Sequence, residues 1–245
     1  MRLARHLFLL LSSLLLVGGV VAAVALPGPQ RMACPTCFGL EKAADNVYVD
    51  SVLSARQRTQ TLQSIDRARR QVREFFGGLK SDPRIVVCRT RACAQIFGSK
   101  GAKGVAYGWQ GILLTNSRIF GVIAAHELAH VELHWRMGLL GWARGTVPAW
   151  FDEGLATVIS NDPRFKHDAS PKAVREIMKV NSYLGQWAKH VEKVGWRTAY
   201  GASATRVRKL ERAIGRDGLK RFVDRLVREG DLSNLLRKVG DGNAF

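Results

Sequence analysis

Residues 126–130 read His126-Glu127-Leu128-Ala129-His130, and residues 148–156 read Pro148-Ala149-Trp150-Phe151-Asp152-Glu153-Gly154-Leu155-Ala156. The first is an H-E-x-x-H pattern inside a segment whose apolar residues recur at helical spacing over about 118–139. Residues four apart on an α-helix differ by about 40° around its axis, so both imidazoles project side by side, with Glu127 a quarter-turn away. Two neutral imidazoles so placed grip one zinc ion, and the glutamate between them reaches a water on that ion. A catalytic zinc takes three protein ligands and keeps one position open, so the third ligand comes from another segment. His134 stands eight residues after His126, about 12 Å along the same helix axis, too far for one ion to bridge. That leaves it beside the site or at the surface. Glu153 lies on the second segment, read as a helix over about 147–160 with Pro148 in its first turn. The small and aromatic residues around it suit close helix packing better than a solvated acid. The expected set is therefore His126, His130 and Glu153 as zinc ligands, with Glu127 as general base.

Outward from these segments the pattern alternates in type. A helix is expected from about 51 to 76, with Val52, Leu53, Leu62, Ile65, Val72, Phe75 and Phe76 inward and its arginines on the other face, closed by Gly77-Gly78. Residues 84–88, Arg-Ile-Val-Val-Cys, read as a short buried strand, and 105–115, broken by Gly108 and Gly111, as one or two edge strands. Helices are expected again over 171–195, 198–214 and 217–229, with Gly215 and Gly230 past two of the ends. Strands early and helices late read as an α+β fold, a small antiparallel or mixed sheet followed by a mostly helical C-terminal part.

The N-terminus is of another kind. Residues 7–26 carry no charge, follow Arg2, Arg5 and His6, and precede Pro27-Gly28-Pro29. Twenty residues make a helix of about 30 Å, one bilayer core, which reads as a single transmembrane helix with 1–6 as a cytoplasmic basic leader. Ala23-Val24-Ala25 keeps a cleaved signal sequence open as the alternative, though signal cores usually span about 7–15 residues. Either way 27–45 reads as a linker, and 46–245 as a domain on the outer side of the cytoplasmic membrane, tethered or released into the periplasm. There disulfides persist. Cys34/Cys37 and Cys88/Cys93 fall into two close pairs that suggest local bridges, with a four-thiolate zinc site or a redox pair at Cys34 and Cys37 as rivals. Thirty-eight Lys+Arg against 20 Asp+Glu give +18, a charge that fits attraction to anionic lipid or a merely solvated surface. Nucleic acid is not an expected partner, since no reader motif accompanies the charge.

The H-E-x-x-H helix followed by W-F-x-E-G-x-A resembles the gluzincin metallopeptidases, and most closely their membrane-associated bacterial branch with a compact peptidase domain. The resemblance spans roughly 84–235 and is carried by 126–130 and 150–156. It implies zinc, a peptide or protein substrate, and hydrolysis through a zinc-activated water. It also implies an edge strand before the active helix, a place that residues 105–114 occupy. Three departures qualify it. The Asp four residues beyond the glutamate ligand in thermolysin-like enzymes is Thr157 here, so Asp152 or another residue must orient a histidine. The segment Gly104-Val-Ala-Tyr-Gly108 lacks the acid that aminopeptidase N relatives use to hold a free amine. The oxyanion donor of the group corresponds to Tyr200, with Tyr183 and His190 as alternatives. Position 133 is Leu and 136 is Arg, which excludes the metzincin pattern. The residues leave a second reading open, a catalytically inactive, metal-stabilised, membrane-tethered binding module of the same fold.

Overall fold

The apolar run Ile85, Val86, Val87, Cys88 can be buried on both faces only if something covers each face, and that requirement organises the molecule. The computed structural model describes residues 28–240. Five strands form one mixed sheet: β1 (Leu40–Ala44), β2 (Val47–Asp50), β3 (Arg84–Cys88), β4 (Gly104–Tyr107) and β5 (Gly111–Thr115), in spatial order β1-β2-β3-β5-β4. β2, β3 and β5 run parallel, while β1 and β4 close the two edges antiparallel. The β3–β5 register sets Ile85 beside Ile112 and Val87 beside Leu114 on one face, and Val86 beside Leu113 on the other. The second face is covered by a small cluster containing Met32, Leu40, Ala94 and Phe97, the latter two from or beside the short helix α2 (Arg91–Ile96).

The first face carries the main core. Against it lie α1 (Ala55–Phe76), α3 (Phe120–Arg144) and α4 (Ala149–Ile159), backed by the long α7 (Trp196–Glu229). α1 begins at Ser54, whose hydroxyl accepts from the Gln57 amide while the Gln57 side chain accepts from the Ser54 amide, a reciprocal cap worth about 1 kcal/mol. It ends at Gly77, where φ is +68°. Trp150, Phe151 and Phe222 fill the space between α4 and α7, and truncating any of them to alanine costs about 3–5 kcal/mol. α4 and α7 approach closely because Gly154 has no side chain: a Cβ there would stand 2.5 Å from the Ser203 carbonyl oxygen.

The α+β class, the mixed sheet and the helical C-terminal part are as expected, and several boundaries differ. Residues 105–115 form two strands, but β5 is central and fully buried, because Ile112, Leu113 and Leu114 are apolar on both faces. The stretch read as a linker contributes β1 to the sheet, and Val52 is exposed. The helix expected over 171–195 is three pieces: α5 (Pro171–Ile177), a π-helical turn at Tyr183–Trp187 and α6 (Ala188–Val194). The Gln186 side chain accepts from the Asn181 and Ser182 amides and holds the break. The 198–214 and 217–229 helices are limbs of α7, bent at Gly215 where φ is +75°. Pro148 sits just before α4, as its N-cap. A last helix, α8 (Leu232–Gly240), was not anticipated. Both local disulfides form, Cys34–Cys37 and Cys88–Cys93. Among the described residues no helix is long and apolar enough to cross a membrane, and the expected span 7–26 lies outside them.

Candidate metal centre

The first limb of α3 is buried along its whole length from Ile123 to His134, so the H-E-x-x-H residues sit inside the molecule. α4 crosses beside it and delivers Asp152 and Glu153, both buried. His126 Nε2 lies 3.3 Å from Glu153 Oε2, His130 Nε2 3.4 Å from the same oxygen, and the two Nε2 atoms are 3.0 Å apart. The three expected ligand residues therefore converge, and they can hold a metal ion.

Asp152 decides the chemistry of His130. Its Oδ1 is 2.6 Å from His130 Nδ1 and its Oδ2 is 2.7 Å from His134 Nε2, while the Tyr183 hydroxyl donates to the same Oδ2 at 2.9 Å. With Nδ1–H of His130 given to the carboxylate, Nε2 presents a lone pair toward the Glu153 carboxylate. Two acceptors facing each other at 3.4 Å repel unless a cation or proton stands between them. His130, His134 and Asp152 form a second group with metal-ligand chemistry. Separations of 2.6 and 2.7 Å are hydrogen-bond lengths, shorter than the roughly 3.3 Å edge of a tetrahedral site with 2.0 Å bonds, so this group supports the first rather than holding its own ion.

Electrostatics follows the contacts. Burial works against charge on Asp152, but His130 and His134 hold its carboxyl well below the usual range. Glu153 is likewise held down to about 2 by His130 and His126 in spite of burial. Glu127 moves the other way, upward, because it is buried and the Glu153 and Asp152 charges add to the effect more distantly. Burial and the carboxylates of Glu153 and Glu127 keep the Tyr200 hydroxyl protonated well above its ordinary value. Tyr107, whose side chain packs on the second face of the sheet, is pushed up to about 12 by burial and by the Glu127 charge, and its hydroxyl donates to the Phe97 carbonyl.

The groups of the metal site line a cleft of about 650 Å³. One wall is the edge strand β4, where a Cβ on Gly104 would stand 2.4 Å from Glu127 Oε1. The rest of the lining includes Met137 and Trp142 of α3 and residues 181–183. Tyr200 and Tyr183 both line it, and His190 does not. The sequence reading left Asp152 as one candidate for the orienting residue, and the contacts single it out. His134, expected beside the site or at the surface, is buried beside it against Asp152. Gly104 gave no signal, since nothing in a lone glycine says which side chain it admits. Compared with known protein families, with curated proteins and with solved structures, the chain matches none.

Proposed function

We propose that the chain is a zinc-dependent peptidase of gluzincin type, tethered to the outer face of the cytoplasmic membrane, that hydrolyses amide bonds of polypeptide substrates. The observation that carries this reading is the triangle of His126 Nε2, His130 Nε2 and Glu153 Oε2, with sides of 3.0, 3.3 and 3.4 Å. A tetrahedral ion with bonds of about 2.0 Å needs ligand separations of about 3.3 Å, so the donor set fits zinc without rearrangement. Zinc in such a site polarises a carbonyl and lowers the pKa of water to about 7.

The chain's own groups supply the rest. Glu127, buried with a raised pKa, accepts a proton from the attacking water and passes it to the departing amine. Tyr200, protonated and lining the cleft, is placed to donate to oxygen as it gains charge. Asp152 fixes the tautomer of His130 and so its lone-pair direction. β4 pairs only with β5 among the described residues, which leaves its outer edge to align an extended polypeptide. The two disulfides accord with an extracytoplasmic location. The test is Glu127→Gln in the full-length protein. Metal analysis should find zinc retained while hydrolysis of an unfolded polypeptide falls about 10²–10⁴-fold. Turnover at the parental rate would remove Glu127 from the role of base.

A further inference from the structure

Three strands of the sheet run parallel, and their carboxyl ends, Asp50, Cys88 and Thr115, lie at one end of it. The chain leaves these ends toward different faces. From β2 it passes to α1 on the first face, from β3 to α2 on the second, and from β5 back to α3 on the first. Neighbouring strands whose chains depart to opposite faces open a crevice beyond their carboxyl ends, the place where open parallel sheets take ligands. Between β3 and β5 that crevice is a cavity of about 500 Å³, lined by Cys88 and Thr115 where the two strands end.

Its walls are basic. Arg89 and Arg91 come from the loop and helix after β3, Lys100 and Lys103 from the loop before β4. Among the described residues, no acid and no aromatic side chain lines the cavity, and no carboxylate pairs with any of the four cations. Residues 83–126 show the same bias in sequence, with six Lys and Arg and no Asp or Glu. Charges of one sign around a concave wall focus their field on the space between them. The walls are also held in place. The Cys88–Cys93 disulfide closes the loop that carries Arg89 and Arg91, and Asp50 accepts from the Arg89 and Thr90 amides. On the other loop, the Ser99 and Thr115 hydroxyls both donate to the Ala102 carbonyl, at 3.1 and 3.2 Å. The Arg89 guanidinium donates to the Asn116 side-chain oxygen. A site ordered before binding loses less entropy when a ligand arrives.

A compact polyanion matches such walls. A phosphomonoester carries about −1.5 to −2 charge at pH 7, so two of them balance four cations, whereas a carboxylate brings one charge. Guanidinium forks pair with phosphate oxygens through two parallel hydrogen bonds, and lysines add point charge. With no ring to stack on, the cavity reads charge and hydrogen-bonding groups rather than a base. We propose that this crevice binds a pair of phosphomonoester groups, carried by a small soluble molecule or by a lipid headgroup. Lys103 lines it and Gly104 lines the metal cleft, so the bound ligand sits at the start of the strand that walls that cleft. None of the metal-site residues takes part, so the crevice keeps its ligand whether or not the chain is a hydrolase.

The test is isothermal titration calorimetry of the full-length chain in neutral detergent at about 0.15 M salt, where charges more than about 8 Å apart are screened. One arm adds fructose 1,6-bisphosphate. The other adds mixed micelles of phosphatidylinositol 4,5-bisphosphate, with phosphatidylcholine micelles as the blank. Saturable binding is expected in at least one arm, and the arm that binds names the carrier. Arg91→Ala combined with Lys103→Ala removes one exposed cation from each side of α2 and the following loop, and should weaken binding about tenfold or more. Lys172→Ala combined with Lys189→Ala removes the same charge from exposed positions on α5 and α6, and should leave binding at the parental value. Absence of saturable binding in both arms overturns the proposal. So does an equal loss in the two double variants, which would mean attraction to the overall charge of the chain. Tighter binding of penta-glutamate than of either phosphate ligand also overturns it, and assigns the crevice to carboxylates.

Discussion

Asp152 divides one carboxylate among His130, His134 and Tyr183. Replacing it with asparagine keeps the size but allows the amide to offer an N–H where His130 needs an acceptor. Zinc affinity should drop about 10–100-fold, read by competition with a chromophoric chelator. Affinity equal to the parent would mean that His130 is oriented by something else. The two tyrosines should separate in a different way. The Tyr183 hydroxyl is committed to Asp152, whereas the Tyr200 hydroxyl meets the Glu153 carboxylate. Tyr200→Phe should lower kcat about 10²-fold or more with zinc content unchanged, if its donor acts on the oxyanion. Tyr183→Phe should instead weaken zinc binding and leave a smaller mark on kcat. That His126 and His130 project side by side was readable from sequence because spacing along a helix is rigid geometry. Asp152 was readable only as a candidate, because its partners come from a helix packed across it.

At the scale of elements, two glycines separate packing from chemistry. Gly154→Ala drives a Cβ to 2.5 Å from the Ser203 carbonyl oxygen on α7, and backbone cannot step aside cheaply. The cost should be about 1–3 kcal/mol or more, seen as a lowered denaturation midpoint together with lost zinc, since Glu153 sits on the displaced helix. Gly104→Ala meets Glu127 Oε1 at 2.4 Å, the far end of a side chain, with Ile123 Cγ2 at 2.6 Å. Activity should fall well beyond tenfold there while zinc is retained, because the collision moves the base and not the ligands. Asp50 offers a pH test outside the site. Burial opposes its charge, but the Thr90 amide and hydroxyl and the Arg89 amide hold its pKa below the ordinary carboxylate value. A lowered folded-state pKa stabilises fully above the unfolded value near 3.8 and is lost as pH falls through the folded one. Asp50→Asn should therefore cost about 1–3 kcal/mol at pH 7 and progressively less toward pH 2, by denaturant titration. Helices with one continuous apolar stripe, α1 and the first limb of α3, were legible. The break within 171–195 was not, because Gln186 capping the preceding amides is a long side chain folding back, invisible to periodicity. Nor was the central place of β5, since strand order is a property of pairing partners and not of any one strand.

For the molecule as a whole, the metal triangle joins elements that otherwise meet only through the core. α3 supplies two of the candidate ligands and α4 the third, while β4 lies over α3 with Gly104 against Glu127. Without an ion, two acceptors on these helices oppose each other in a buried place, so the folded state should bind the metal and the unfolded chain should not. Free ligand at 1,000 times its dissociation constant stabilises by about 4.1 kcal/mol. In a protein of this size, about 2–4 °C of melting temperature corresponds to each kcal/mol, so chelation should lower the midpoint by about 8–16 °C. Readdition of zinc should restore it. The same chelator should shift Glu153→Ala far less, because that variant has little bound metal to lose, and Glu127→Gln about as much as the parent, because its ligands are intact. If Glu127→Gln melts like the parent in every state but Glu153→Ala still shows the full chelator-induced drop, the ion is held by residues other than this triangle.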